Sequence, residues 1–459
     1  MKTAVAVLMV VLFMAHILPA AHGATENAAQ HNGWRVGVAR MDITPDRSLW
    51  LGGFAARTRP SEGTLHPLWI KALALEDASG HRAVLVTGDI LGYPKAMSER
   101  ICDTIEQAHG LTRSQIILSA SHTHCAPVIK DALRCMYIYD DAEAARLHEY
   151  AEQFEARVVA LVDAAFEEME PAALFAGNGI ARIAVNRRNN SERDLLPTTI
   201  VAGPHDHAVP TLQVSRPDGS LIAVVFGYAC HATVLNEYLW NGDYPGFAQI
   251  ALEEKYPGAM AMFFAGCGAD QNAMPRRSIA FAEQYGKTLA AAVERAMKDV
   301  MRPLAPSLTT TYQEIMLALE PTPDIAGFRE RVAETTGYEE RCNQWMLDQL
   351  EQGETLPDAW SYPVQLWRLG DQTLVTLGGE VTVSYAINIK ERLGQDVFVM
   401  GYANDQTAYI PSETILEEGG YEGDRSQLIY GMPGKWLPGI ESQILDAVET
   451  LHDTVLQQE

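Results

Sequence analysis

Apolar, strand-like runs alternate with amphipathic, helix-like segments along this chain, and that alternation most constrains its fold. Several of the runs are apolar throughout, as in residues 222–226 (IAVVF) and 260–265 (MAMFFA). A strand with one solvated face alternates apolar and polar residues, so a uniformly apolar strand is covered on both faces. The pattern therefore predicts an α/β fold with mixed β-sheets covered by helices, in a single large domain.

The first 23 residues have the pattern of a secretory signal peptide. Lys2 supplies a positive start, residues 4–14 are apolar, and residues 21–23 (AHG) form a small-x-small cleavage site. This apolar stretch is shorter than the roughly 20 residues that span a bilayer. We therefore expect a signal peptide over 1–23, a mature domain over 24–459, no transmembrane anchor after cleavage, and a secreted or periplasmic location.

Charge and cysteine spacing exclude some classes of function. The formal net charge of −24 argues against nucleic acid or an anionic membrane surface as a partner. The six cysteines include no CxxC pair, so a cysteine zinc site is not expected. Cys125, Cys230 and Cys267 are interpreted as small buried packing residues, with reduced thiols at least as probable as a disulfide. No feature of the sequence indicates the oligomeric state.

Several apolar runs lead directly into polar or glycine-rich turns. In α/β folds such strand ends converge on one crevice, so side chains distant in sequence can share a site. Imidazole and carboxylate groups together are the ligands expected for a catalytic zinc ion with an open position. The candidate side chains are Asp89, His122, His124, His231, Asp243, Asp270, Glu380 and Tyr409.

The segment SASHTHCAP, residues 119–127, places two histidines two positions apart after a strand. With a period of two, both imidazoles lie on the same side of an extended chain. This favours a shared site for His122 and His124. The residues alone leave three interpretations open: metal ligands, catalytic groups, or hydrogen-bonded loop residues.

The order of these motifs resembles the catalytic domain of the neutral, non-lysosomal ceramidases. The resemblance begins near residue 36 and extends to about residue 423, nearly the whole expected mature chain. The matching segments are GVARMDITP (37–45), TGDI (87–90), Ser-x-x-His-Thr-His-x-x-Pro (119–127), YACHAT (228–233), GGEVTV (378–383), Asn404-x-x-x-x-Tyr409 and YEG (421–423).

The resemblance implies one zinc ion per chain, bound by two histidines, a glutamate and a tyrosine. Carried over by position, these ligands are His122, His231, Glu380 and Tyr409. His124 corresponds to an active-site histidine that handles protons near the leaving group.

Two further catalytic positions are implied by the same resemblance. Arg187 corresponds to an arginine that holds the scissile carbonyl, with its neighbour Arg188 as the competing assignment. Tyr421 corresponds to a tyrosine that faces the substrate. Asp89 and Asp243 are candidates to orient the ligand imidazoles by hydrogen bonds, although capping of a turn is an equally good interpretation of each.

The chain departs from the family pattern at two places. The family has an active-site serine in a Gly-Asp-x-Ser-Pro-Asn segment, whereas this chain has GCGADQNAMPR, with Gln271 near the serine position. The immunoglobulin-like domain that follows the family's catalytic domain is not expected here. Both departures favour a mechanism without a serine nucleophile, or a changed substrate.

The sequence therefore predicts a zinc-dependent amidohydrolase that cleaves an N-acyl bond with a zinc-activated water. The substrate is a lipid or small-molecule amide, either ceramide or another N-acyl compound. Two alternatives remain: the same zinc site acting on an N-acyl sugar or an ester, and a binding protein that has lost the chemistry.

Overall fold

The structure is a computed structural model that describes residues 33–130, 132–196 and 198–457. The expected signal peptide lies outside the described residues. Within the described part of the chain, every helix is too short or too polar to cross a lipid bilayer.

Strands and helices alternate along the described chain. The strands are β1 (Trp34–Asp42), β2 (Gly63–Thr64), β3 (Trp69–Glu76), β4 (Arg82–Gly88), β5 (Ile116–Ala120), β6 (Glu170–Ile180), β7 (Ala184–Asn186), β8 (Ala208–Ser215), β9 (Leu221–Tyr228), β10 (Leu239–Trp240), β11 (Met260–Ala265), β12 (Gln271–Ala273), β13 (Arg302–Leu304), β14 (Leu308–Ala318), β15 (Ala359–Leu369), β16 (Gln372–Leu377), β17 (Glu380–Val381), β18 (Phe398–Met400) and β19 (Tyr409–Ile410). The α-helices are α1 (Lys95–His109), α2 (Asp141–Glu167), α3 (Asp243–Lys255), α4 (Ile279–Lys298), α5 (Ile325–Glu334), α6 (Tyr338–Glu351), α7 (Val383–Leu393), α8 (Glu413–Glu418), α9 (Gly420–Gly423) and α10 (Ile440–Gln457).

Two mixed sheets form the centre of the molecule. The larger has nine strands in the order β11-β9-β8-β6-β1-β3-β4-β5, with β13 beside β6. Its outermost pairs, β11 with β9 and β4 with β5, are parallel, and the pairs between them are antiparallel. The smaller sheet has the order β14-β15-β16-β18, with a parallel pair only at β16 and β18.

The two sheets pack face to face, and helices cover their outer faces. Leu73 of β3 and Leu85 of β4 share a buried cluster with Trp367 of β15, between the sheets. On the other face of the large sheet, Val84 packs in one cluster with Phe154 of α2. The far side of the small sheet packs against α7 and α10. Strands that are buried on both faces gain no advantage from polar alternation, which explains the uniformly apolar runs.

The predicted fold class is confirmed: mixed sheets are covered by helices. Helices cover one face of the large sheet and the small sheet covers the other. Hydrophobic periodicity shows that a face is buried, but it does not show whether a helix or a sheet buries it. Cys125, Cys230 and Cys267 are buried free thiols, as their interpretation as packing residues predicts.

One disulfide joins two segments that are 207 residues apart, Cys135 before α2 and Cys342 on α6. The guanidinium of Arg341, also on α6, donates a hydrogen bond of 2.7 Å to the carbonyl of Met136. From the same loop, the Tyr137 hydroxyl accepts a hydrogen bond of 2.8 Å from the backbone of Gly53. The disulfide therefore holds α6 against a loop that reaches towards the histidine segment.

We predict that replacing both Cys135 and Cys342 with serine lowers the free energy of unfolding by about 2–5 kcal/mol, as is typical of lost native disulfides. Urea denaturation of the oxidised proteins measures the difference. A reductant should destabilise the wild type and leave the double variant unchanged. Equal stability of the two oxidised proteins would contradict the prediction.

Candidate metal centre and active site

The predicted metal ligands come from four separate segments that meet at one end of the sheets. His122 follows β5 and His231 follows β9, while Glu380 and Tyr409 are the first residues of β17 and β19. These two short strands pair in parallel with Glu380 opposite Tyr409. Two of the four donors are therefore placed side by side by backbone pairing alone.

A connecting segment, residues 401–404, brings the two histidine-bearing regions together. Gly401 donates to the carbonyl of Ala265 at the end of β11 (2.9 Å), and Ala120 at the end of β5 donates to the carbonyl of Tyr402 (3.3 Å). The Asn404 side chain accepts a hydrogen bond of 3.0 Å from the backbone of Leu118. Strands β5 and β11 are opposite ends of the sheet order, so this segment joins their carboxyl ends.

The tautomers of two imidazoles are set by backbone carbonyls. Nδ1 of His122 lies 2.7 Å from the Leu91 carbonyl oxygen, and Nδ1 of His231 lies 3.2 Å from that of Gly268. Each Nδ1 must carry the proton, because a carbonyl can only accept. In the neutral imidazole, each Nε2 is then a bare lone pair, the state in which histidine binds a metal.

These lone pairs converge on one point. Nε2 of His122 is 3.2 Å from Nε2 of His231, and each lies close to Oε2 of Glu380, at 3.2 and 3.1 Å respectively. The hydroxyl of Tyr409 is 3.4 Å from Nε2 of His231. Ligands bound to zinc at 2.0–2.1 Å in a tetrahedron are separated by about 3.3 Å. These four donor spacings match edges of a zinc coordination tetrahedron.

Electrostatics at this point favour a cation. Oε2 of Glu380 is buried and has no hydrogen-bond partner among the described residues. Burial lowers the pKa of His231 to about 4, against the influence of Glu380, which leaves its imidazole neutral. Electron-rich atoms packed this closely away from water repel one another unless a positive ion lies between them.

Tyr430 positions the carboxylate of Glu380. Its hydroxyl donates a short hydrogen bond to Oε1, the oxygen that points away from the imidazoles. Glu380 therefore presents a single oxygen, Oε2, to the centre. Sequence reasoning did not identify Tyr430, which lies in the 3₁₀ helix Arg425–Tyr430 and outside the recognised motifs.

Tyr409 is held on its outer side by Arg187. Nη2 of Arg187 donates a hydrogen bond of 3.2 Å to the Tyr409 hydroxyl. Burial, reinforced by the negative charge of Glu380, raises the pKa of Tyr409 well above its usual value, while Arg187 acts in the opposite direction. A cation at the centre would favour the phenolate form that a tyrosine ligand requires.

His124 lies at the same centre, but its environment differs from that of the other imidazoles. Its Nε2 is 3.1 Å from Nε2 of His122, and the three histidines form one buried cluster with potential ligand atoms within 4.8 Å of one another. Nδ1 of His124 is buried without a hydrogen-bond partner among the described residues. Burial, together with the nearby His122 and His231, lowers the pKa of His124 well below its usual value. Since no carbonyl fixes its tautomer, His124 is the imidazole best able to exchange a proton.

Arg187 is clamped by Glu422, whose side chain is 5% exposed. Nε of Arg187 donates to Oε1 of Glu422, and Nη1 of Arg188 donates to Oε2, both at 2.8 Å. Arg188 turns outward to Glu418. Of the two arginines, Arg187 is therefore the one directed to the centre.

Tyr421 completes the outer side of the site. Its ring packs edge-on against the ring of Tyr409, with centroids 5.3 Å apart. The guanidinium of Arg187 lies 5.8 and 5.9 Å from the centroids of the Tyr409 and Tyr421 rings. The structure therefore brings together all seven residues assigned to metal binding and catalysis, namely His122, His124, Arg187, His231, Glu380, Tyr409 and Tyr421.

Asp89 and Asp243 lie elsewhere. Oδ2 of Asp89 accepts a hydrogen bond from the backbone of Trp69, and Oδ2 of Asp243 accepts one from Leu235. Neither carboxylate bonds a ligand imidazole within the described chain. Backbone carbonyls take the orienting role instead, a function that side-chain identity does not reveal. The turn-capping interpretation fits the contacts of Asp243, whereas Asp89 links the end of β4 to the start of β3.

Gln271 is buried behind His231. Its side-chain Nε2 donates a hydrogen bond to the carbonyl of Ala229 (2.5 Å). Its backbone carbonyl accepts one from the backbone N–H of His231 (3.0 Å). Oε1 of Gln271 is buried without a partner among the described residues. This residue therefore supports the backbone that carries His231 and offers no hydroxyl nucleophile.

Comparisons with known proteins identify the family and the fold. A model of the family described as neutral/alkaline non-lysosomal ceramidase, N-terminal, matches residues 34–284. A search of curated proteins found no match. The solved structure of neutral ceramidase from Pseudomonas aeruginosa is 17% identical, covers 91% of this chain and 74% of its own, and has a TM-score of 0.69. A ceramidase complexed with C2 is 16% identical, with coverages of 92% and 76% and a TM-score of 0.70.

Fold and site together define a protein with a buried cluster of histidines that can hold a metal ion, at the strand ends of a mixed α/β fold. The family match covers more than half of the chain, and the chain belongs to the neutral/alkaline non-lysosomal ceramidase family. The predicted resemblance is confirmed. Family and fold support a hydrolase of amide bonds.

We predict that Gly53→Ala impairs the site through His124. A Cβ on Gly53 would lie 2.2 Å from Nδ1 of His124, and the φ of +88° is one that side-chain-bearing residues rarely adopt. Hydrolysis of an N-acyl amide should fall about tenfold or more, because misplaced catalytic groups are costly. Gly80→Ala is the matched control, since Gly80 has a φ of +87° and nothing within 4 Å of its Cβ position. Equal activity of the two variants would contradict the prediction.

Proposed function

We propose that this protein is a zinc-dependent amidohydrolase that cleaves an N-acyl bond of a lipid or small-molecule amide. The observation that carries the proposal is the convergence of donor atoms from His122, His231, Glu380 and Tyr409, at spacings of 3.1 to 3.4 Å. Two bare imidazole lone pairs, one carboxylate oxygen and one phenol are a donor set that suits zinc.

The four donors would hold one zinc ion in each chain, with His124 beside it. When bound, zinc lowers the pKa of a coordinated water towards neutrality and polarises a carbonyl group. The unpartnered Oε2 of Glu380 and the paired lone pairs of the histidines support the fit of this ion.

His124 is the proposed proton carrier. It is neutral and deeply buried, and its Nδ1 is not engaged by a carbonyl. A neutral imidazole can accept a proton from the attacking water and pass it to the leaving nitrogen. The backbone of Gly53 packs against the ring and limits its movement.

Arg187 and Tyr421 are proposed to stabilise the charge that develops on the carbonyl oxygen. Glu422 holds Arg187 in place, so this donor costs little reorganisation during the reaction. A preorganised donor of this kind typically contributes about 3–4 kcal/mol to transition-state stabilisation. None of these steps requires the serine that Gln271 replaces.

The substrate remains a proposal. The family name and the neutral ceramidase fold favour a lipid amide such as ceramide. Gln271 favours the alternative, an N-acyl sugar, an ester or another non-ceramide compound at the same zinc site. The pattern of residues 1–23 leads us to propose that the enzyme is secreted or periplasmic.

We predict that the purified protein contains about one zinc ion per chain and that His122→Ala loses it. Amide hydrolysis should then fall at least about 100-fold, since the ligand set is broken. Elemental analysis by mass spectrometry and an N-acyl amide assay measure both effects. His109→Ala is the control, because His109 pairs with Asp163 on the surface (2.7 Å). Retained zinc with full activity in His122→Ala would contradict the proposal.

We also predict that Glu422→Gln lowers kcat by about tenfold or more, because Arg187 loses the charge that positions it. Glu418→Gln is the matched control. Glu418 pairs with Arg188, and its side chain is 57% exposed, so this ion pair contributes about 1 kcal/mol or less. Equal kcat values for the two variants would argue against a role for Arg187.

A further inference from the structure

Two arginines beside His124 have no carboxylate partner among the described residues. Arg57 and Arg277 both lie 5.2 Å from the centroid of the Phe54 ring. The same ring packs against the His124 imidazole, with centroids 4.7 Å apart. Phe54 therefore separates the proposed proton carrier from two positive charges.

Arg57 is a buried cation without a counter-charge. It is 3% exposed, and its guanidinium donates to the carbonyls of Glu237 (3.1 Å) and His124 (2.9 Å). Nε of Arg57 is buried with no partner in the described chain. An isolated buried charge is costly and is usually paired, so this arginine creates a positive potential that an anion would relieve.

Arg277 is exposed, but its position is fixed. Its backbone N–H donates to Val234 (2.7 Å) and its guanidinium to the carbonyl of Thr233 (3.3 Å). Both acceptors belong to the segment that follows His231. The φ of Arg277 is +70°, a strained value that persists only where the surroundings hold it. The exposed guanidinium is thus presented over Phe54 by the same segment that carries a metal ligand.

Two acidic residues near these arginines are paired with other arginines. Glu192 pairs with Arg276 at 3.0 Å, and Glu62 pairs with Arg59 at 2.6 Å. The chain as a whole carries a net charge of −24, which repels anions from most of its surface. Arg57 and Arg277, which form no ion pair within the described residues, therefore make a local positive patch beside the site.

We infer that the substrate carries a carboxylate near the scissile amide, and that Arg277 binds this group over the Phe54 ring. Arg57 strengthens the interaction from below through its charge, without direct contact. The planar guanidinium matches a carboxylate by two parallel hydrogen bonds. This inference rests on the proposed function and specifies its substrate as an N-acyl amino acid, in contrast to the uncharged ceramide.

A pair of substrates that differ only in this charge tests the inference. N-lauroylglycine and N-lauroylglycinamide share the acyl chain and the scissile bond. The zinc-loaded wild type should prefer N-lauroylglycine by about tenfold or more in kcat/KM, as expected for a charge-assisted hydrogen bond. Arg277→Gln should reduce this ratio to near one. Arg59→Gln, which alters a paired arginine over the neighbouring Tyr238 ring, should keep the wild-type ratio.

The ratio separates recognition from folding, since a structural defect lowers both rates together. Equal rates for the two compounds in the wild type, or an unchanged ratio in Arg277→Gln, would overturn the inference. A preference for N-lauroyltaurine over N-lauroylglycine would overturn the assignment to a carboxylate.

Binding measured by calorimetry keeps the test independent of turnover. If neither compound is hydrolysed, the inference still requires tighter binding of N-lauroylglycine than of its carboxamide, while hydrolysis of ceramide or another N-acyl amide tests the proposed function separately. Arg277→Gln must remove that difference. Equal affinity of the wild type for both compounds would overturn the inference whatever the rates.

Discussion

The site depends on two hydrogen bonds that point away from its centre, one from each of two imidazoles to a backbone carbonyl. By donating Nδ1–H to a backbone carbonyl, His122 and His231 direct bare lone pairs at each other and at Glu380. A cluster of this kind is electrostatically unfavourable without a positive ion. A metal ion bound there would relieve the repulsion that the backbone imposes, so the proposed site would couple the stability of the fold to metal binding.

Much of the fold could be predicted from the sequence, because burial on both faces leaves a direct mark on composition. The uniformly apolar sequences of β9 and β11 indicated a sheet that is covered on both faces. The packing of the large sheet on a second sheet could not be predicted, since an apolar face does not record what covers it. The Cys135–Cys342 disulfide was equally hidden, because spacing does not determine pairing.

The candidate site shows the same division. Motif order predicted His122 and Glu380 as donors, and the structure brings them together, but the residues that orient them have no sequence signal. Carbonyl groups hold the imidazoles, and every residue has a carbonyl. Tyr430 is an ordinary tyrosine in sequence and becomes important only through its hydrogen bond to Glu380. Asp89 and Asp243 illustrate the opposite case, in which a suggestive residue type bonds to the backbone of a neighbouring strand or turn.

Because β17 pairs with β19, the relative position of the donors Glu380 and Tyr409 does not depend on the segment that connects them. Glu380 and Tyr409 are neighbours because two short parallel strands align them, and α7 and β18 lie in the intervening connection. Side chains in a strand alternate faces, so a register slip of one residue would turn one donor away, while a change of length in the connection need not. This part of the protein can accordingly diverge in loop length across evolution, or be grafted onto another scaffold, as long as the two-residue ladder is preserved.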